Sequence, residues 1–434
     1  MALCIKTLRA LLPTNFRTII AFSVALLVGL LASAAAQTFT IIHTFTGPEG
    51  ANPAAGLTMD NAGNLYGTTE FGGGYSCVEG GCGSVFKLSN HGGSWVLSKL
   101  YAFQGSSDGA GPQAKVVFGR DGALYGTTSD SGQGTAFRLQ PPTSFCHSVS
   151  CPWTKTTLFT FNFYDEATGF VPTGDLTFDA DGNIYGTTFY GGDTQYCNLG
   201  CGLVYQLARS GGDWTENVLY NFTGTTDGAT PRSGVDFDQS GNLIGTAFND
   251  GNRANAGTVF ELTPSNGGWL ESTVYGFQDS SDGGYPDGGL ILDASGNVYG
   301  TTSSGGSGGG GTVFELVSSG GDWNFNLLYS LSGAPNYFGP FGKLVKDAAG
   351  NLYGTTLNGG PNHWGTVFKL TPSNGGWIYT DLHDFTNGYG GSYPEDGLVV
   401  DSNGNIYGTA QAGGIAGNGC GIGLACGLVW EITP

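Results

Sequence analysis

The sequence predicts an all-β fold, a seven-bladed β-propeller with four antiparallel strands in each blade. The main observation is a six-residue phrase that occurs seven times in near copies, first as Asn-Leu-Tyr-Gly-Thr-Thr at residues 64–69, with spacings of 54 to 60 residues. Such a period is typical of propellers and solenoids. No stretch of residues 37–434 keeps the 3.6-residue apolar period of an amphipathic helix, so no substantial helix is expected. The central residues of the phrase are Tyr66, Tyr125, Tyr185, Ile244, Tyr299, Tyr353 and Tyr407.

Each repeat contains four apolar runs, which we call strands A to D. In the first repeat they are residues 56–60, 64–69, 83–88 and 95–103. The runs are rich in β-branched and aromatic residues and are bounded by Gly, Asp, Asn or Pro, which is the pattern of β-strands. Four-stranded units repeated around an axis form a propeller, so each repeat is predicted to be one blade.

The link between strands A and B has a fixed length. A glycine lies three residues before the central residue in all seven repeats, and an aspartate lies six residues before it in every repeat except the second, which has Gly119. The aspartate can accept backbone hydrogen bonds in an Asx-turn, and the glycine can adopt a positive φ. The pattern predicts a tight hairpin in which the aspartate has a structural role.

A proline marks the point where the chain enters each blade. It lies four residues before the first apolar residue of strand A, where a missing N–H does not interrupt a ladder. The seven prolines are Pro53, Pro112, Pro172, Pro231, Pro286, Pro340 and Pro394.

The copy number predicts how the ring closes. The seventh strand C, residues 427–433, is followed only by Pro434, and a strand D run at residues 39–45 precedes the first strand A. The N-terminal run is therefore expected to complete the last blade, with Phe39, Ile41, His43 and Phe45 packing against it. This closure removes the free edges of an open array. A linear β-solenoid is the alternative fold, but the polar capping repeats that it needs are not found.

Residues 1–36 are predicted to be a secretory signal peptide, and residues 37–434 a single propeller domain. A basic segment with Lys6, Arg9 and Arg17 precedes an apolar core at residues 19–31 and an Ala-Ala-Ala cleavage site. Without the leader the net charge is −22, which disfavours binding to nucleic acid. We expect a secreted or extracellular monomer without a membrane span, with the periplasm and the cell surface as alternative locations.

The eight cysteines after residue 36 fall into four local pairs. Short spacings and an exported context favour disulfides over zinc, because the spacings differ from those of zinc sites and few histidines lie nearby. The predicted pairs are Cys77 with Cys82, Cys146 with Cys151, Cys197 with Cys201 and Cys420 with Cys426.

The long, variable loops are all expected on one face. In an A-B-C-D meander the A–B and C–D turns share one rim, and the B–C and D–A loops share the other. Function on repeat scaffolds concentrates where the repeats vary, so the B–C and D–A loop face is the candidate ligand face. Its aromatic candidates are Tyr75, Tyr190, Tyr196, His363, Trp364, Tyr389 and Tyr393, and its carboxylates are Asp108, Asp193, Asp227, Asp282, Asp287, Glu395 and Asp396.

Aromatic rings beside carboxylates suit a sugar or a cationic ligand. The alternative is that the tyrosines pack the loops and the acids keep the surface soluble. No histidine pair has metal-ligand spacing, and no cofactor is expected. Asp179 and Asp181 resemble part of a calcium loop, but its later acidic ligand is absent, so structural calcium is the minor alternative.

Two functional hypotheses follow. The first is a secreted binding or interaction module that recognises a glycan or a protein through the loop face, with no catalytic residues. The second is an extracellular hydrolase or lyase that uses loop carboxylates at the mouth of the central channel. Convergent carboxylates in a pocket would favour the second hypothesis.

The repeat unit also resembles a known family. The pattern G-L-x-x-D-x-x-G-N-L-Y-G-T-T, followed by G-T-V-F-x-L-T-P, G-G-W and L-Y-x-F, resembles the GloVer tandem repeat of secreted bacterial proteins over residues 39–434. The resemblance implies β-propeller-like repeats and no established activity, so it supplies no catalytic residue. Such proteins often carry a C-terminal anchor of the choice-of-anchor type, and none is expected from the last residues here.

Overall fold

The computed structural model describes residues 37–434 except 76, 78, 79, 130–133, 143–152, 164, 165, 250–255, 334–338, 416–419 and 421–424. The predicted signal peptide and the predicted pair Cys146–Cys151 lie outside the described residues. Residues Phe39–Thr433 form a compact unit.

The described residues form seven four-stranded antiparallel sheets, which confirms the seven-bladed propeller. Blade 1 contains β2 (Thr58–Met59), β3 (Leu65–Thr69), β4 (Ser84–His91) and β5 (Ser94–Ala102). Blade 2 contains β6 (Val117–Phe118), β7 (Leu124–Thr128), β8 (Thr135–Gln140) and β9 (Thr154–Thr160). Blade 3 contains β10 (Thr177–Phe178), β11 (Ile184–Thr188), β12 (Leu203–Ser210) and β13 (Asp213–Asn221).

The remaining blades repeat this order. Blade 4 contains β14 (Asp236–Phe237), β15 (Leu243–Ala247), β16 (Thr258–Ser265) and β17 (Gly268–Gly276). Blade 5 contains β18 (Ile291–Leu292), β19 (Val298–Thr302), β20 (Gly309–Ser319) and β21 (Asp322–Ser332). Blade 6 contains β22 (Val345–Lys346), β23 (Leu352–Thr356), β24 (Thr366–Ser373) and β25 (Gly376–Asp384). The helices in the described residues are three 3₁₀ turns, Ser106–Asp108, Glu166–Thr168 and Gly388–Gly390.

Blade 7 is built from both ends of the chain. Its strands are β26 (Val399–Val400), β27 (Ile406–Ala410), β28 (Leu428–Thr433) and the N-terminal β1 (Thr38–Thr44), in the order β26-β27-β28-β1. The Phe45 N–H donates to the Gly427 carbonyl at 3.0 Å. The predicted closure is confirmed, and the solenoid alternative is wrong.

Strand A is shorter than predicted. A run of five residues was expected, but only two residues of each strand A pair with strand B, for example Thr58 with Tyr66 and Met59 with Leu65. The residues before this short ladder leave the blade and belong to the D–A loops. The D–A loops therefore lie beside the short strand A of each blade and do not lengthen its ladder with strand B.

A β-bulge interrupts the alternation in strand D. In blade 1, Val85 pairs with Tyr101 and Phe86 pairs with Lys99, so Leu100 is the additional residue. Leu100 is buried and Lys99 is exposed. Strict alternation would place this side chain on the outside of the blade. At a bulge of this kind it packs into the core instead.

The N-terminal strand β1 shows the same inward shift of one side chain as strand D of blade 1. Ile42 aligns with the bulged Leu100 and packs against the core, whereas Ile41 is 38% exposed. Phe39 stacks on His383, and Phe45 is fully buried. The expectation that Ile41 packs inwards is therefore wrong, because simple two-residue alternation does not allow for the bulge.

The A–B turns are held by the predicted aspartates. Asp179 accepts hydrogen bonds from the backbone N–H groups of Asp181 and Asn183, both at 2.9 Å, and from the Tyr185 hydroxyl at 3.0 Å. In the second repeat, where the aspartate is replaced by Gly119, Asp121 accepts the tyrosine hydroxyl hydrogen bond at 3.0 Å. The turn thus keeps its carboxylate from a position two residues later.

We expect Asp179→Ala to lower the free energy of unfolding by about 1–2 kcal/mol, because the exposed and partly buried donors of the turn lose their acceptor. The exposed neighbour Asp181 is the matched control, and Asp181→Ala should cost less than about 0.5 kcal/mol. Urea denaturation measures both, and equal effects would contradict this role. A melting temperature that falls when a chelator is added would instead show calcium at this turn.

The turn also makes stability depend on pH. Burial opposes ionisation, but hydrogen bonds from Asn183 and Tyr185 hold the pKa of Asp179 below its usual value. A depressed folded-state pKa contributes stability above the unfolded-state pKa and loses it as pH falls through the folded-state pKa. The difference between Asp179→Ala and the unchanged protein should therefore shrink in acid.

A close approach explains the glycine of the repeated phrase. A Cβ atom on Gly67 would lie 2.6 Å from the ring of Phe86, which is fully buried. In blade 7 the larger Trp430 takes the position of this phenylalanine and lies over Gly408. The core lies largely between neighbouring blades, where Phe161 of blade 2 packs on Tyr205 of blade 3 at 5.0 Å.

Three of the four predicted disulfides are present. Cys77 is bonded to Cys82, Cys197 to Cys201, and Cys420 to Cys426. Each joins residues of one B–C loop. Among the described residues, no helix has the length and apolar character that a membrane span requires.

Candidate functional site

The D–A loops of all seven blades surround one cavity of about 680 Å³. The residues that follow the constant prolines supply most of its wall. Because every blade contributes, the cavity lies at the mouth of the central channel, on the face of the B–C and D–A loops. Its polar and charged lining includes Glu70, Gln113, Lys115, Thr173, Asp175, Arg232, Asp236, Asp287, Lys343, Glu395 and Asp396.

Three ion pairs cross between blades in this cavity. Lys115 Nζ lies 2.6 Å from Asp175 Oδ2, and Arg232 Nη1 lies 3.2 Å from Asp287 Oδ2. Lys343 Nζ contacts Asp236 Oδ2, which joins blade 6 to blade 4. Burial disfavours the charge of Lys115, but the carboxylates of Asp175 and Asp396 raise its pKa above the usual range. All three cations of the cavity are therefore already paired.

Two aromatic rings position Arg232. Its guanidinium lies 4.1 Å from the ring centre of Phe248 and 5.2 Å from that of Phe189. Cation–π contacts of this kind restrict a guanidinium to one orientation. Burial raises the pKa of Asp287 to about 6, although the charge of Arg232 opposes the shift.

Asp396 joins the last blade to the first. Its carboxylate accepts hydrogen bonds from the Gly56 N–H at 2.7 Å and from the Gly397 N–H at 2.6 Å. Burial and the charge of Asp175 raise the pKa of Asp396, while Lys115 and the two N–H groups lower it. The side chain is thus fixed by backbone donors.

Glu70 is also held in place. It accepts from Asn52 Nδ2 at 2.6 Å and from Gln113 Nε2 at 2.8 Å. Glu70 lies just after strand B of blade 1, and Gln113 lies in the D–A loop of blade 2. These amides orient the carboxylate without neutralising its charge.

Glu395 differs from the other acids of the cavity. Within the described part of the chain it has no hydrogen bond or ion pair. Burial raises the pKa of Glu395 to about 8, and the charges of Glu70, Asp287 and Asp396 add to the shift. A carboxyl group in this state is mostly protonated at neutral pH and can donate or accept a hydrogen bond.

A second cavity of about 640 Å³ is lined by the strand A residues of five blades. It shares Lys115, Lys343 and Asp396 with the first cavity. Most of its other lining is apolar, including Met59, Phe118 and the β18 residues. The charged groups are therefore concentrated on the loop-face side.

The structure does not bring the predicted aromatic residues together. Tyr190 lines the central cavity. Trp364 and Tyr393 pack against each other at 5.3 Å, and His363 lines a separate cavity of about 430 Å³. Tyr75, Tyr196 and Tyr389 are exposed at 49%, 47% and 80% of their surface. The role of the seven aromatic residues as ligand contacts remains a prediction. Of the seven, only Tyr190 is part of the described lining of the central cavity.

The predicted carboxylates divide into two groups. Asp287, Glu395 and Asp396 line the cavity. Asp108, Asp227 and Asp282 each accept a hydrogen bond from a strand D tyrosine seven residues earlier, at 2.8, 2.9 and 3.2 Å. Asp193 accepts from the Gln195 N–H at 2.7 Å. The second group therefore shapes the loops.

Sequence reasoning missed Glu70 and every basic residue of the cavity. Lys115, Asp175, Arg232 and Lys343 occupy the first to third positions after the constant proline. These positions vary in charge from blade to blade while the flanking residues stay constant. That variation at a fixed offset is the signal that could have identified them. Among the described residues, no group of three or more His, Cys, Asp or Glu side chains is arranged to hold a metal ion.

A family model matches residues 30–201 and 194–421, which is most of the chain. The chain belongs to the Gloeobacter/Verrucomicrobia repeat family. Membership agrees with the GloVer resemblance of the repeat unit. The family and the disulfides together indicate a non-cytoplasmic protein. A comparison with curated proteins finds no match.

Solved structures share the fold at low identity. A fungal alcohol oxidase of the AA5 family, in complex with copper, is 13% identical with a TM-score of 0.56, over 92% of this chain and 76% of that one. PorZ, a surface component of the type-IX secretion system of Porphyromonas gingivalis, is 13% identical with a TM-score of 0.50. The match covers 91% of this chain and 48% of PorZ, so the repeat-family chain spans about half of that protein. At these identities the likeness shows the fold alone.

Proposed function

We propose that this secreted repeat-family protein is a binding module that takes a small hydroxyl-rich ligand, such as a sugar unit of an extracellular glycan, into the central cavity. The observation that carries the proposal is the convergence of fixed donors and acceptors from every blade on one cavity of about 680 Å³. Ligand sites are typically concave, of this size, and contain a few oriented polar groups. Tyr190 adds an aromatic surface on which a sugar ring can stack.

The site of the proposal lies at the channel mouth and not on the outer loops. The most exposed aromatic residues, such as Tyr389, lie outside the lining of the cavity. Polar groups held by ion pairs and backbone N–H groups lose little freedom on binding, which favours affinity. The exposed tyrosines have no comparable support.

Gln113→Trp should abolish ligand binding, because residue 113 lies at the cavity wall and a bulky ring would fill the space. Its exposed position makes a folding defect small. Tyr196→Ala is the control and should leave affinity within about twofold. A glycan screen followed by calorimetry measures both variants. Binding that survives Gln113→Trp and is lost in Tyr196→Ala would reject the central site.

A hydrolase or lyase is the second candidate function. The observation that favours it is Glu395, a protonated carboxyl group close enough to Glu70 and Asp287 for their charges to act on it. A proton donor and a carboxylate base are the groups that glycoside hydrolysis needs. Activity of this kind should fall as pH rises through about 8, where Glu395 loses its proton. Glu395→Gln would then retain binding and lose turnover.

A further inference from the structure

We infer that the central cavity selects a ligand carrying a positively charged amine, such as an amino sugar, and that the Glu395 carboxyl group is the partner of this amine. The inference rests on the proposed function and narrows its ligand class. It follows from the numbers of acidic and basic side chains in the cavity, and from the different hydrogen-bond partners of the acidic ones. The lining contains six acidic and three basic side chains, an excess of three acids.

The three basic groups of the lining are each paired with a carboxylate. The Arg232 guanidinium also lies against two aromatic rings, and its Nε is the one donor of these groups that is buried without a hydrogen-bond partner among the described residues. An anionic ligand would have to break these pairs or add to the acidic excess. The pairs keep part of their exposure to water, so it is the excess of acids over bases in the lining that disfavours an anion.

The three acids of the lining that are not part of these three ion pairs, Asp396, Glu70 and Glu395, differ in how they are bonded. Asp396 accepts two backbone N–H groups, and Glu70 accepts two side-chain amides. Within the described residues Glu395 has no such donor. A half-buried carboxyl group without a partner is the natural partner of an incoming donor.

The proton on Glu395 connects binding to pH. Burial and the neighbouring acids raise the pKa of Glu395 to about 8, so the free protein carries a proton there at about pH 6.5. An ammonium group beside a carboxyl group favours its ionised form. Binding of an amine should therefore ionise Glu395 and release up to one proton to solvent, while a neutral sugar should release none.

Isothermal titration calorimetry with two matched disaccharides tests this inference. The probes are the β-1,4-linked disaccharide of glucosamine and its N-acetylated counterpart, used at about pH 6.5 in two buffers with different ionisation enthalpies. The amine form should bind at least about tenfold more tightly, and only its heat should depend on the buffer.

Glu395→Gln should remove both the preference for the amine and the release of a proton, so that the affinities of this variant for the two disaccharides differ by less than about threefold. Asp193→Asn, on the same face but outside the cavity, should behave like the unchanged protein. If Glu395→Gln does not fold, as judged by circular dichroism, the proton release measured with the unchanged protein tests the inference instead.

Equal or weaker binding of the amine form would overturn the inference, and so would tight amine binding without proton release. The proposed function would stand in both cases if Gln113→Trp still abolished binding. Binding of neither disaccharide, with another uncharged glycan bound in the cavity, would also reject amine selection. Binding that Gln113→Trp leaves intact would reject the central site itself.

Discussion

Removing residues 37–46 is expected to prevent stable folding of the ring. The deletion takes away β1, which completes blade 7, and leaves the outer edge of β28 unpaired. It also removes Phe45, which is fully buried against Phe86 at 5.2 Å, and Phe39, which is partly buried against the core of blade 7. Losing a buried phenylalanine alone costs about 3–5 kcal/mol, so the total should exceed about 5 kcal/mol, comparable with the whole stability of many domains.

Point variants in β1 separate the effect of lost side-chain packing from the effect of shortening the chain. Phe45→Ala should lower the free energy of unfolding by about 3–5 kcal/mol. Ile41→Ala is the matched control in β1, because this side chain is 38% exposed, and it should cost less than about 1 kcal/mol. Thermal and urea denaturation measure all three changes. A deletion variant that melts cooperatively within a few degrees of the full chain would show that blade 7 closes without β1.

Lys115→Met is expected to lower the free energy of unfolding by about 2–3 kcal/mol. The substitution leaves Asp175 and Asp396 without their cation in the wall of the cavity. Breaking one side of a buried pair costs about 3–5 kcal/mol, and the figure is reduced because the side chains keep 24% of their exposure to water.

Arg120→Met is the control for this prediction. Arg120 also joins blades 2 and 3, by donating to the Ala180 carbonyl at 2.7 Å, but the contact is exposed and should contribute less than about 1 kcal/mol. Replacing both Lys115 and Asp175 with apolar residues should recover part of the loss. Urea denaturation in which Lys115→Met and Arg120→Met behave alike would show that the cavity pair has no special role.

The sequence was sufficient to predict the blades, because each strand and turn is specified by residues close together in the chain. The Asp179 type of turn and the split last blade both follow from the repeat. Local reasoning was wrong where the backbone departs from regular alternation, as at Ile41 and Ile42. Such bulges depend on how strand C twists against strand D, which a single run of residues does not reveal.

The site was harder to predict because it is formed by groups from seven separate loops. Asp287, Glu395 and Asp396 were identified as loop acids, but the sequence did not separate them from Asp108 or Asp227, which bind tyrosines. Whether a carboxylate lies beside a cation or beside another acid depends on how the seven loops are arranged around the channel axis. The pairing of Lys343 with Asp236 across two blades is of this kind, and it became visible only with the ring assembled.

A crystal structure of the protein with the glucosamine disaccharide tests the central claim most directly, since it shows where the ligand lies and which groups bind it. The expected result is the ligand inside the cavity ringed by the D–A loops, with its amine within hydrogen-bond distance of the Glu395 carboxylate. Ligand bound against Tyr75, Tyr196 or Tyr389, with none in the cavity, would contradict the central claim.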